Sequence, residues 1–390
     1  MTSSTRIRLA EPFLGEAEKS NVLRCFQDNW IAAAGSFVSQ FESELESYTG
    51  CGHAIAVSSG TAALHLALSA AGVVPGDEVL VSDLSFIAPA HAICYVGAQP
   101  VFIGPELTYW QMDAGKVSDF LTTHCRRRAD GCLVNEASGR KIGAIVPVHI
   151  LGHPCDMDAI FAIAEEHQIP VVEDAAESLG AAYRDRPVGR TTGIACLSFN
   201  GNKTMTAGGG GAVLTSDDDV ANRIRHLANQ AKVSGTFVHD VVGYNYRISN
   251  LHAAVGLAQL KRLPELISRK RAISLRYEGA FAEVAGLTMA PEAPWARSAT
   301  WLSSVRIDSS LFGRSAKGVV EGLAAVGIEA RSLWAPLHTN PSMTDGQAFG
   351  CEGSITLSND VVCLPSSCGL EADEQQVVID SVMSLAVRDS

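Results

Sequence analysis

Ile169-Pro170-Val171-Val172-Glu173-Asp174-Ala175-Ala176-Glu177 reads as a short buried strand that runs into acids. Four consecutive apolar residues, three of them β-branched, are too few for a helix and suit a strand covered on both faces. Immediately before it, residues 156–168 open with acids and place Met157, Ile160, Phe161 and Ala164 on one helical face. The same alternation extends outward in both directions. Further strands are expected at 53–58, 78–82, 99–103, 143–149, 195–199 and 212–215. Helices are expected at 61–71, with Gly72 as a C-terminal cap, and at 217–230, which begins with three aspartates. Strands alternating with helices predict an α/β fold: a mainly parallel seven-stranded sheet covered by helices.

The remainder predicts a smaller α/β domain. Residues 249–262 and 265–284 read as two helices, the second bridging to strands at 301–307, 328–332 and 360–364 and helices at 316–326 and 371–386. The expected boundary is near 265, giving a large domain over 1–265 and a small one over 266–390. A chain of 390 residues is long enough for two such units.

Composition removes several function classes. Hydrophobic residues make up 47% and charged residues 18%, as in ordinary globular proteins. The formal net charge is −12, and no long basic run offsets it, the candidate Arg126-Arg127-Arg128 being short, so no nucleic-acid partner is expected. The N-terminal segment lacks the apolar core of a signal peptide, and no stretch is apolar enough to span a bilayer, which predicts a cytoplasmic protein with no membrane partner. The ten cysteines form no CxxC pair, so no metal site is expected and the thiols read as small core residues in a reducing compartment.

Four clusters carry candidate chemistry. Ser58-Ser59-Gly60-Thr61 joins a strand to a helix. Such a helix start offers free N–H groups and hydroxyls to a phosphate, although Ser59 or Thr61 could equally serve as a cap. Asp174 ends its strand where open α/β sheets place ligands; it could hold a pyridinium N–H or simply be a solvated acid. In Ser198-Phe199-Asn200-Gly201-Asn202-Lys203-Thr204, a lone lysine is ordinarily a surface residue, but its small polar neighbours permit close approach by a ligand. The following Gly208–Gly211 run is no dinucleotide loop, because a strand rather than a helix comes after it. Finally, Gly243-Tyr244-Asn245-Tyr246-Arg247 leads into an alanine-rich helix, and Arg247 could meet an anion or form a structural ion pair.

Taken in order, SSGTAALHLAL (58–68), DLSFIAPAHAI (83–93), VPVHILGHPCDMD (146–158), VVEDAAESLGA (171–181), SFNGNKTMTAGGGGAV (198–213) and GYNYRISNLHAAVGLAQL (243–260) resemble the DegT/DnrJ/EryC1/StrS sugar aminotransferases. The resemblance implies the fold of type-I pyridoxal-5′-phosphate enzymes. It implies that Lys203 holds the cofactor aldehyde as a Schiff base and shuttles a proton, while Asp174 holds the ring nitrogen. It implies that Ser59, Gly60, Thr61 and Ser198 bind the phosphate, that Phe86 stacks on the ring and that Glu177 lies near the ring hydroxyl. A homodimer with shared sites follows, in which Asn245 or Arg247 reaches the neighbouring phosphate.

Within the family, Asn29-Trp30-Ile31-Ala32-Ala33-Ala34-Gly35, the form SFNGNK, the segment around 134–141 and Trp334…His338 are similar to the branch making 4-amino sugars for legionaminic acid and bacillosamine. That implies L-glutamate as donor and a UDP-linked 2-acetamido-4-keto-6-deoxyhexose as acceptor, with Trp30, Ile31 and His338 touching substrate. Ala32-Ala33 departs from the Ser-Thr usual in that branch, which leaves a different sugar open. Competing readings are a C3 aminotransferase, a family dehydratase and a non-catalytic cofactor-binding regulator. One kind of dehydratase carries histidine where this chain has Lys203.

Overall fold

The computed structural model describes residues 6–190 and 193–386. The seven expected strands are present: β1 His53–Val57, β2 Glu78–Ser82, β3 Gln99–Ile103, β4 Ile142–Val146, β5 Val172–Asp174, β6 Ile194–Ser198 and β7 Gly211–Thr215. They form two four-stranded halves. One half runs β1-β7-β6-β5, and the other runs from Gln347–Phe349 through β3 and β2 to β4. Single bridges Ile145↔Val171 and Val148↔Asp174 join β4 to β5, making one continuous layer. β7 is antiparallel to both its neighbours, and the other large-sheet pairings are parallel. The strand at Gln347–Phe349 is an addition from beyond the expected domain boundary.

Parallel strands buried on both faces need apolar residues at nearly every position. β2, β4 and β7 are buried throughout. Helix Gly60–Ala70 covers one face with Leu64, Leu66 and Leu68. Helix Ser36–Thr49 covers the other with Phe37, Phe41 and Leu45, against Leu197 and Phe199.

Two sequence expectations are corrected. The helices expected at 249–262 and 265–284 are one helix, Asn250–Phe281, with Pro264 inside it. An internal proline removes a hydrogen bond and costs about 3 kcal/mol. Here Leu260, Leu263, Leu266 and Ile267 are all buried around it in one core, which holds the helix continuous. Its later residues Ile273, Tyr277 and Phe281 pack instead into the core of the small sheet. That sheet is ordered Leu287–Met289, Ser304–Ile307, Val361–Cys363, Arg331–Ser332. The strand expected from 301 begins only at Ser304. Trp301 is diverted, its N–H donating to Leu151 O (3.0 Å) and its carbonyl accepting from Lys270 Nζ (2.8 Å).

Candidate active site

The carboxyl ends of β1, β5 and β6 open into one cavity of about 590 Å³. Ser59, Gly60, Thr61, Phe86, Asp174, Glu177, Ser198 and Lys203 all line it, so residues as distant as 59 and 203 meet there. Asp174 and Ser198 end their strands, Gly60 and Thr61 open the helix that follows β1, and the others lie in the segments that leave the strand ends, where side chains are free of the sheet ladder but held by it.

The cup after β1 is built by close approach. Ser59 caps the helix, its Oγ accepting from Ala62 N–H at 3.0 Å. Gly60 follows as the first helical residue. A Cβ there would lie 2.8 Å from Ser198 Cβ, so glycine is what lets β1 and β6 bring their two serines together. The helix start thus presents free N–H groups and hydroxyls on one side of the cavity, the arrangement that accepts a phosphate. Both candidate roles of Ser59 are therefore compatible: it caps the helix and faces the cavity.

Asp174 ends β5 and is 4% exposed. Its Oδ1 accepts from Ala176 N–H at 3.0 Å. Burial pushes its carboxyl above the usual range, partly countered by that N–H and by Lys203. Glu177, also buried and also pushed up by burial, splits its carboxylate: Oε1 lies 3.2 Å from Lys203 Nζ and Oε2 accepts from Leu151 N–H at 2.8 Å. Lys203 is no surface lysine, since only 13% of its side chain is exposed. Its Nζ also sits 4.1 Å above the ring of Trp301.

A pyridoxal phosphate fits this donor set: an anion cup, a buried acid and a primary amine share one cavity, with the half-exposed Phe86 ring beside them. Sequence reasoning missed Trp301 and Arg331, which also line the cavity. Trp301 was hidden inside an expected strand, and nothing in the local sequence marks it as a partner of Lys203.

Other expected site residues lie elsewhere in this chain. Trp30 and Ile31 are exposed and outside the cavity lining. Asn245 is exposed, and Arg247 Nη1 is engaged by Glu42 Oε1 at 2.8 Å. His338 is also outside the lining. Its Nδ1 lies 2.8 Å from Asp83 Oδ2 and its backbone N–H donates to Oδ1 at 2.9 Å, with Cys351 beside them. Asp83 is fully buried and pins the short helix Leu337–Thr339 through these bonds. No helix among the described residues is long and apolar enough to cross a membrane.

Known proteins share this architecture across their whole length. The GDP-perosamine synthase of Caulobacter vibrioides is 36% identical over 98% of this chain and 100% of its own. Bacillus subtilis EpsN, named as a pyridoxal-phosphate-dependent aminotransferase, is 35% identical over 97% of this chain and 96% of its own. The crystal structure of S. venezuelae DesV with a ketimine intermediate superposes with a TM-score of 0.86 at 29% identity, covering 98% of this chain and 100% of that one. With residues 12–383 matching its model, the chain belongs to the DegT/DnrJ/EryC1/StrS aminotransferase family, and it is a pyridoxal-phosphate-dependent aminotransferase.

Proposed function

We propose that this enzyme moves an amino group from L-glutamate to C4 of a nucleotide-linked 4-keto-6-deoxyhexose, giving a 4-amino sugar. The observation that carries the reading is the meeting of Lys203, Asp174 and the Ser59-Gly60-Thr61 cup in one cavity. Bound pyridoxal phosphate supplies an aldehyde for an amine and a ring that withdraws electrons from the donor's Cα. The chain's own groups do the rest. Ser59, Gly60, Thr61 and Ser198 anchor the phosphate. Asp174, enclosed and negatively charged, keeps a proton on the ring nitrogen. Lys203 would take the proton from the donor's Cα as base and then, as acid, hand it to the carbon that carried the cofactor's aldehyde. Glu177 orients the lysine amine through its 3.2 Å contact.

Relatives name the acceptor's nucleotide differently from the sequence expectation. The C. vibrioides relative carries GDP in its name, which favours a GDP-linked acceptor. The UDP-linked 2-acetamido sugar is the second reading, supported by the resemblance of residues 29–35.

A homodimer completes the site in this proposal. Phe237 and Val242 are 92% and 84% exposed on the segment leading to Asn245, and large apolar side chains so placed suit a protein contact. Because Arg247 is held by Glu42, Asn245 is the one free to reach a neighbour's phosphate cup. Ten unpaired cysteines support a cytoplasmic home.

The test begins with the holoenzyme's visible absorbance. Borohydride should fix the cofactor to Lys203, and L-glutamate alone should bleach the band while releasing 2-oxoglutarate. GDP-, UDP- and dTDP-linked 4-keto sugars are then offered and the products weighed by mass spectrometry. Failure of glutamate to bleach the band removes the donor, and rejection of all three sugars removes the acceptor class.

A further inference from the structure

We propose that the turn Ile150–Gly152 and the indole of Trp301 form a rigid bracket that sets the position of the Lys203 amine, with Trp301 as a positioning residue for the proton that lysine carries. The proposal rests on the aminotransferase reading of the cavity. It starts from backbone geometry. Leu151 is buried and adopts φ 59°, Gly152 φ 88°, and Thr300, facing them, φ 49°. Non-glycine residues hold this conformation only where their surroundings over-determine it, and such residues cluster at working sites.

The surroundings here are three hydrogen bonds. Trp301 N–H donates to Leu151 O at 3.0 Å and Ala299 N–H to Gly152 O at 2.9 Å. Leu151 N–H donates to Glu177 Oε2 at 2.8 Å. Residue 152 has no room for a side chain: a Cβ would lie 3.0 Å from Trp301 N and 3.1 Å from both Glu177 O and Thr300 N. One turn therefore holds Glu177 by one backbone group and Trp301 by another.

These two residues in turn hold Lys203. Glu177 Oε1 is 3.2 Å from Nζ and the indole centroid is 4.1 Å from it. The indole Nε1–H donates to the carbonyl of Asn202 at 2.6 Å, so the same ring fixes the backbone beside Lys203 and the far end of its side chain. Trp334 lies parallel to Trp301, with centroids 6.3 Å apart and planes 12° from each other, and limits its tilt.

The bracket suits one moment of turnover. When Lys203 takes the proton of the donor's Cα–H bond, the bonding electron pair stays with the donor and its ring partner, and the amine becomes an ammonium. An indole face and a carboxylate both attract a cation. The lysine is thereby kept within reach until it passes the proton on to the carbon that carried the cofactor's aldehyde, and small displacements of such a group are costly to rate.

Three variants test this. Trp301→Phe keeps an aromatic face but loses the N–H. Trp301→Leu loses both, and Gly152→Ala keeps every group while crowding the turn. In holoenzyme, the glutamate-driven bleaching is followed in single turnovers with protiated and Cα-deuterated glutamate. Trp301→Leu should slow it by about ten- to a hundredfold, raise the deuterium effect and leave the glutamate KM within about twofold, with Trp301→Phe intermediate. In cofactor-free protein, trinitrobenzenesulfonate modification of Lys203, read by peptide mass spectrometry, should be faster in Trp301→Leu than in wild type. An unchanged isotope effect together with unchanged labelling overturns the bracket. If wild type shows no reaction with glutamate, the functional reading fails by itself and the labelling alone judges the bracket. If Gly152→Ala does not fold, the two Trp301 variants decide.

Discussion

Glu177 and Lys203 meet inside the protein, Oε1 3.2 Å from Nζ, with 6% and 13% of their side chains exposed. Each charge is tolerable there only because of the other. Removing one partner of a buried pair leaves an uncompensated charge and costs about 3–5 kcal/mol. Lys203→Ala is therefore expected to destabilise the cofactor-free protein by about that amount in urea unfolding. Adding Glu177→Gln should recover part of the loss, because no acid is then stranded. In the holoenzyme, Lys203→Ala and Lys203→Arg should both lose borohydride fixation and about a hundred- to ten-thousand-fold in turnover, the range of a lost proton-transfer group. Retained turnover in Lys203→Arg would remove the lysine from the mechanism.

Asp174 gives a prediction in pH. Burial raises its carboxyl above the ordinary range. As pH rises past the unfolded value of about 3.9, the unfolded chain releases a proton that the folded chain still holds. Stability present below that value is thus lost as pH rises through the raised folded value. Cofactor-free Asp174→Asn should lack this loss, so wild type should fall relative to the variant in melting temperature as pH goes from acid to neutral. The same substitution should slow the glutamate half-reaction of the holoenzyme by roughly a hundredfold or more, since an amide cannot hold charge against the ring nitrogen. Equal pH profiles for the two proteins would show that Asp174 does not carry the burial penalty.

Local signals made the large sheet legible. Short β-branched runs such as Val171-Val172 have one solution when both faces are covered, and β1 to β7 lie within a few residues of expectation. The cavity residues that end strands were legible for the same reason. Long-range bonds were not. Pro264 reads as a helix break because the core that buries Leu260, Leu263, Leu266 and Ile267 around it is completed by residues far away in the chain, such as Phe41 and Leu45. Trp301 reads as a strand because its bonds to Leu151 and Lys270 join segments roughly 150 and 30 residues away. The eighth strand, Gln347–Phe349, is too short and too mixed to announce itself, and its pairing with β3 is set by tertiary placement.

Arg247 and Asn245 should separate in experiment. Arg247 Nη1 donates to Glu42 Oε1, which also accepts Ala56 N–H at 2.8 Å on β1. Both side chains are largely enclosed, at 20% and 16% exposure. Arg247→Ala is expected to cost about 1–3 kcal/mol of stability, as for a charged hydrogen bond broken away from water, while leaving cofactor affinity within about threefold. Asn245→Ala should do the reverse, weakening cofactor retention on dialysis with little change in melting temperature. Loss of cofactor from Arg247→Ala at unchanged stability would hand the phosphate contact to the arginine.

His153 supplies an acid-side sensor of folding that is separate from the chemistry. It is 6% exposed, and its ring is held in one neutral tautomer, with Nδ1 2.8 Å from Pro154 O and Nε2 accepting Ala293 N–H at 2.9 Å. Burial lowers its pKa from 6.5 to about 4. Between those values the unfolded chain takes up a proton that the folded chain refuses, so stability present above pH 6.5 drains away as pH falls to 4 and is gone below it. The window corresponds to about 3 kcal/mol. His153→Gln keeps polar atoms but cannot titrate. Urea unfolding of both proteins at pH 7 and pH 4.5 should therefore show wild type losing about 2–3 kcal/mol more than the variant across that interval. Parallel losses would mean that His153 takes its proton without opening the Pro154 and Ala293 contacts, against the geometry that holds it neutral.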